Sequence, residues 1–225
     1  MSGFMKVPFE MSGYKGAQPY WDWPAYVEDG LENSTIFDGG PYSLGSNGRG
    51  NSSCVYKGPF SNYTTTFPYF FNDIIMDNIE NNGNGSIPSW SFDYSPNCFQ
   101  RALDNESLRL NNNASDIKQL LSQPTISDFQ RHVAMGGDGA DLFTSPTDPV
   151  FFLHHAQVDR MWWMWQFMDL ENRRYALSGI QTLENFPASP ELTLEDQITW
   201  GPLGRNYTTK SLMAVNDGPF CYRYE

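Results

Sequence analysis

The stretch Asp148-Pro-Val-Phe-Phe-Leu-His154-His155-Ala-Gln-Val-Asp159-Arg160 opens the most apolar segment of this 225-residue chain. Asp148 is a favoured N-cap residue, and Pro149 suits the first helical position, where its missing N–H costs nothing. Behind them come Phe151, Phe152, Val158, Met161, Trp162, Trp163 and Trp165. That pattern predicts a helix from about Pro149 to Leu170 or slightly beyond, buried over most of its circumference.

Two of the chain's three histidines sit in this helix. A lone histidine on an apolar helix is ordinarily a core residue with a hydrogen-bond partner, because histidine is of intermediate burial. His155 differs in having Asp159 one turn later on the same face, where a carboxylate can orient an imidazole. The competing reading of Asp159 is a salt bridge to Arg160 or another arginine. His154 lies about 100° round the helix from His155, so the two are not expected to share one metal ion. His132 lies upstream, just before Gly136-Gly137, where close backbone approach is easy. His155 is therefore the candidate metal ligand of the helix.

The motif Asp148-Pro-x-Phe-Phe-x-x-His155-x-x-x-Asp159 resembles the second copper signature of tyrosinases, catechol oxidases and molluscan haemocyanins. The stretch from His132 through Gly136-Gly-Asp-Gly-Ala-Asp141-Leu142 to Pro146 resembles the glycine-rich segment after the second histidine of that site. Pro19-Tyr-Trp-Asp-Trp23 resembles the motif that follows the first copper site, and Cys221-Tyr-Arg-Tyr224 the tyrosine motif that closes the domain. Cys54-Val-Tyr-Lys-Gly-Pro-Phe60 and Trp162-Trp-Met-Trp-Gln166 are similar to short secreted tyrosinase-like oxidases of filamentous fungi. The resemblance spans almost the whole chain.

It implies a mainly α fold: part of a tyrosinase-type four-helix bundle, with long coil loops and few short strands. Residues 1–225 then form a single, incomplete copper-binding domain, with the second copper region at about 128–166 and the closing motif at 222–224. The family holds two coppers, each on three histidines, and oxidises phenols and catechols to o-quinones with O2. This chain has three histidines, not six, and none precedes Pro19. The first copper site is expected to be missing, and the Phe4–Glu10 stretch looks like a remnant of its last helix.

The second site also departs from the pattern. Its first histidine should stand four residues before His132, where the chain has Asp128. Either aspartate replaces the ligand or a loop between Phe129 and His132 has been lost. If Asp128 is not a ligand, Ser127-Asp128 reads as a helix N-cap. Leu142, thirteen residues before His155, matches the family's substrate-gating position; its alternative is core packing. Trp21, Trp23, Tyr222 and Tyr224 read as structural.

One copper or none is expected here, and so little or no oxidase activity from this chain alone. Two other readings stand beside the oxidase: a non-catalytic glycoprotein scaffold, and a mononuclear metalloprotein using Asp128, His132 and His155. Imidazole suits copper, and the Irving–Williams order favours Cu(II).

Composition narrows the partners. A formal net charge of −12 disfavours nucleic acid and anionic membranes, which select basic surfaces. No apolar run approaches the ~18 residues of a transmembrane helix. A phenolic small molecule is the partner implied by the resemblance. Apolar helix faces left bare by missing partner helices would favour self-association and poor stability as a monomer. No signal-peptide pattern is present at the N-terminus. Sequons at Asn33, Asn51, Asn62, Asn84, Asn105, Asn113 and Asn206 nevertheless point to a secreted, glycosylated protein. The three cysteines, Cys54, Cys98 and Cys221, allow at most one internal disulfide.

Between these landmarks, residues 24–92 read as long surface loops with a helix at Asn72–Asn81. Cys98–Leu110 and Ser115–Gln123 read as short helices, and 180–225 as loops.

Overall fold

The computed structural model describes residues 16–50, 52–66, 89, 93–135, 145–182 and 185–224. The helix expected at Asn72–Asn81 lies outside them, as do Leu142 and the sequons at Asn51 and Asn84. Among the described residues the fold is mainly helical, with three two-stranded antiparallel ladders. The chain forms two compact units. One comprises Tyr20–Gln119 and His132–Gln157; the other comprises Met1–Pro19, Leu120–Arg131 and Val158–Glu225.

Four helices come first, each started by a local cap. Helix α1 (Asn105–Asn111) begins where the Asp104 carboxylate accepts the Glu106 N–H. Helix α2 (Ala114–Leu121) begins where Asn113 Oδ1 accepts the N–H groups of Ser115 and Asp116. Helix α3 (Ile126–Met135) opens on a reciprocal pair: Thr125 Oγ1 accepts the Asp128 N–H at 3.1 Å and donates to the Asp128 carboxylate at 2.6 Å. Helix α4 (Val150–Phe167) is capped as expected, with Asp148 Oδ1 accepting the Val150 N–H at 2.9 Å. Each such cap satisfies backbone donors that the first turn cannot pair.

Two boundaries differ from the sequence reading. Helix α4 stops at Phe167, and a separate short helix, α5 (Leu170–Arg173), follows. Between them Asp169 adopts a non-helical conformation, and its carboxylate holds the Asn172 amide at 3.0 Å. A short polar side chain that bonds locally competes with helix continuation. Upstream, Cys98 is not helical; it pairs in a strand, and the helix waits until Asn105.

In the first unit, β1 (Gly48–Arg49) pairs with β2 (Cys54–Val55), and β3 (Thr64–Thr65) with β4 (Asn97–Cys98). A Cys54–Cys98 disulfide joins the two ladders, leaving Cys221 as an exposed free thiol. Gly48 has no room for a side chain: a Cβ there would lie 2.0 Å from the Ser53 carbonyl oxygen and 2.3 Å from that of Arg101. The core of this unit gathers Trp21, Trp23, Leu31, Phe37, Val55, Phe99, Leu108 and Ala156.

The hub of the unit is Arg101. Its guanidinium makes a two-pronged pair with Asp148, at 2.8 Å and 2.6 Å. It also donates to the carbonyls of Leu44, Gly45 and Ser46, and it lies 5.1 Å from the ring centres of both Phe37 and Phe99. The α4 cap residue is thereby tied to the turn before β1.

The second unit packs around Trp165, which is fully buried with Leu120, Phe129, Met161, Met213 and Val215. Its indole donates to the Gln123 carbonyl at 2.7 Å, and Arg173 sits 4.5 Å from the ring centre. Strands β5 (Gln197–Ile198) and β6 (Tyr207–Thr208) complete this unit. Along α4, Ala156, Gln157, Met161, Trp165 and Gln166 are buried. Phe151, Phe152, Leu153, Trp162, Trp163 and Met164 are half-buried and only Phe167 is exposed, so the helix is covered over most of its circumference, as its sequence predicts.

Candidate metal centre and the helix that carries it

Helix α4 presents its two histidines to different surroundings. The His154 ring is tilted against Trp23 at 5.1 Å and Trp21 at 6.4 Å between ring centres. Burial, helped by the neighbouring His155, lowers its pKa to about 4, so it stays neutral. His155 stands edge-on to His154, with 5.4 Å between ring centres, and packs on Phe151 at 4.1 Å. It is half-buried, and burial lowers its pKa as well. A neutral imidazole is the form that ligates a metal.

The segment around Trp21 and Trp23 holds this region in place. Trp21 donates its backbone N–H to the Leu153 carbonyl at 3.0 Å. Asp22 accepts from the fully buried amide of Gln157 at 3.2 Å. Both tryptophans are buried, so their role in this structure is to wall in His154.

His132 is half-buried on the third turn of α3. No ring contact joins it to His155, and no group of three or more His, Cys, Asp or Glu side chains is placed to hold a metal among the described residues. Asp128 is engaged within its own helix, at its third position, where Thr125 rather than Ser127-Asp128 caps the first turn. Its carboxylate accepts from Thr125 and lies 3.6 Å from the Arg131 guanidinium.

Asp159 carries a different task. One of its carboxylate oxygens accepts the hydroxyls of both Tyr222 and Tyr224. Burial first, then the Asp159 charge, pushes both phenols well above the usual tyrosine range. The closing tyrosine motif is thus pinned to the middle of α4. Arg101 was not legible as part of the site's frame: its partner Asp148 is 47 residues away, and nothing local marks an isolated arginine as buried.

Against proteins of known description, residues 9–168 match the family model described as the common central domain of tyrosinase. Oxidase hkm6 of Aspergillus hancockii is 35% identical over 257 aligned positions, covering 96% of this chain and 86% of that protein. Tyrosinase P of Aspergillus terreus is 31% identical, with 96% of this chain and 69% of that protein covered. A polyphenol oxidase from Thermothelomyces thermophila, solved as a mutant, superposes with a TM-score of 0.78 at 28% identity, covering 99% of this chain and 70% of that one. The 257 aligned positions exceed the 225 residues of this chain, so hkm6 has internal segments with no counterpart here.

Proposed function

Because this chain belongs to the tyrosinase family, whose members are copper proteins acting on phenolic substrates, we propose that it is a tyrosinase-like oxidoreductase domain whose copper centre is incomplete. The supporting observation is the donor inventory. Three histidines are present in all, and His154 is packed between tryptophans, which leaves His132 and His155 as imidazole ligands. Two imidazoles do not fit a centre that takes six. Copper would be held weakly by these two residues, one ion at most, and such a pair supplies no route to the family's oxidation of phenols.

The engagement of Asp128 in the α3 cap supports loss of a loop between Phe129 and His132 over replacement of a ligand by Asp128. By its match to the family pattern, Leu142 is the residue that would gate a phenolic substrate. The sequons and the Cys54–Cys98 disulfide support passage through an oxidising, secretory compartment.

The test is copper content after loading with Cu(II), paired with oxygen uptake on a catechol. We expect no more than one copper per chain and no uptake above that of the apo protein. Two coppers with catechol-dependent uptake would overturn the reading. Loss of the bound copper in His155→Ala, with the same melting profile, would place the ligand.

A further inference from the structure

The structure sorts the sequons by what their side chains are already doing. Asn105 Oδ1 accepts the Leu31 N–H at 2.8 Å. Asn113 caps α2 and donates to the Arg109 carbonyl at 2.7 Å, and Asn33 donates to the Asp29 carbonyl at 2.6 Å. Asn62 and Asn206 are exposed, and neither side chain forms a hydrogen bond with the described residues. Both belong to Asn-Tyr-Thr tripeptides that lead into a strand, β3 for Asn62 and β6 for Asn206.

Asn62 has one feature that Asn206 lacks. The residue two before it is Phe60, and the two lie on one reverse turn closed by Tyr63 N–H to the Phe60 carbonyl at 3.0 Å. Position 204, two before Asn206, is glycine. Phe60 is half-buried, with its ring edge-on to Tyr63 at 6.2 Å and to Phe99 at 6.3 Å. Thr64, which completes the sequon, is exposed on β3.

A β-linked N-acetylglucosamine has an apolar face of axial C–H bonds. Extended from Asn62, it reaches back across the turn to the side chain two residues earlier. An aromatic ring there offers both apolar surface and a negative π face to polarised C–H groups. We propose that Asn62 carries an N-linked glycan whose first N-acetylglucosamine packs on Phe60, bracing the turn that enters the β3–β4 ladder.

This site rests on the secretory reading above. The sugar is transferred to the Asn62 amide nitrogen from a lipid-linked oligosaccharide diphosphate, which leaves as the lipid diphosphate; no redox partner is needed.

The experiment uses the full chain secreted from a eukaryotic host. Peptide mapping reads occupancy at each sequon, and melting curves are compared after two enzymatic treatments. One cuts within the glycan core and leaves a single N-acetylglucosamine; the other removes the whole glycan. Asn62 should be occupied. Trimming to one sugar should leave the melting temperature unchanged, while full removal should lower it by about 2–4 °C, the shift expected from losing one modest aromatic contact in a chain of this size.

The difference between the two treatments should vanish in Asn62→Gln and shrink in Phe60→Leu; Phe60→Trp should keep it. Equal melting after both treatments of the wild-type protein overturns the packing, whatever the variants do. An oxidised Cys54–Cys98 pair with Asn206 occupied and Asn62 bare overturns the site alone. Free thiols with every sequon bare overturn it together with the secretory reading.

Discussion

Replacing Arg101 by methionine should be among the most damaging single changes in the chain. The guanidinium is 2% exposed and the Asp148 carboxylate 17% exposed, so solvent cannot take over when the pair is broken. Methionine keeps most of the volume and its contact with Phe37 and Phe99, which isolates the electrostatic loss. Left behind are a carboxylate without its cation and the carbonyls of Leu44, Gly45 and Ser46 without their donor. Removing one partner of a buried pair costs about 3–5 kcal/mol. At a urea slope near 2 kcal/mol per molar, that moves the unfolding midpoint down by about 1.5–2.5 M.

The assay is urea unfolding followed by tryptophan fluorescence, on Arg101→Met, Asp148→Leu and the double variant. The double variant should be far less damaged than the two singles added together, because neither buried charge is then stranded. Arg174→Ala serves as the control. Its pair with Asp217 has the same 2.8 Å reach but is 32% and 69% exposed, so about 1 kcal/mol or less is at stake. A loss below about 1 kcal/mol in Arg101→Met, or additive singles, would refute the reasoning.

Further outcomes concern the other fixed points. Tyr222→Phe and Tyr224→Phe each remove a hydrogen bond to a carboxylate and should cost about 1.5–3 kcal/mol by urea titration. Both phenols are raised in the folded state, so their contribution is present below the unfolded tyrosine value of about 10 and lost as pH climbs above it. The melting temperature of the wild-type protein should therefore fall more steeply above pH ~10 than that of the double Phe variant; parallel curves would count against the pairing. Thr125→Ala removes the α3 cap and should cost about 1 kcal/mol, readable as a smaller unfolding midpoint with an unchanged slope. Reducing the Cys54–Cys98 bridge, which spans 44 positions, should cost about 4 kcal/mol, and an equal melt with and without reductant would contradict this.

What could be read from sequence was what is local. Asp148 and Pro149 before a largely apolar segment announced α4 and its cap, since both depend on neighbours a few residues apart. Asp159 was legible as a carboxylate one turn beyond His155, but not the two phenols that share it, because their meeting needs the chain to fold back across more than 60 positions, 63 for Tyr222. Cys98 was read into a helix because its pairing with Thr64 and Cys54 is non-local and overrides weak helical preference. His132 and His155 came from a motif. Their environments are now visible, half-buried in each case, whereas the separate fate of His154 was set by Trp21 and Trp23 from the other end of the unit. Asp128 shows the limit of register arguments: spacing from His132 singled it out, while its side chain is engaged at the start of its own helix.

The β1 turn also constrains how this sequence can drift. Gly48 and Gly50 are two positions apart, yet they restrict mutation for unlike reasons. Gly50 has a φ of +74° and nothing within 4 Å of a built Cβ, so asparagine, which tolerates left-handed backbone, is an accessible neighbour in sequence space. Gly48 faces two carbonyl oxygens that no rotamer can avoid. One of them belongs to Arg101, whose side chain grips the first turn of the histidine helix. A substitution at this loop position would act as a lesion in α4, which makes Gly48 a dead end for neutral evolution despite its distance along the chain from either candidate ligand.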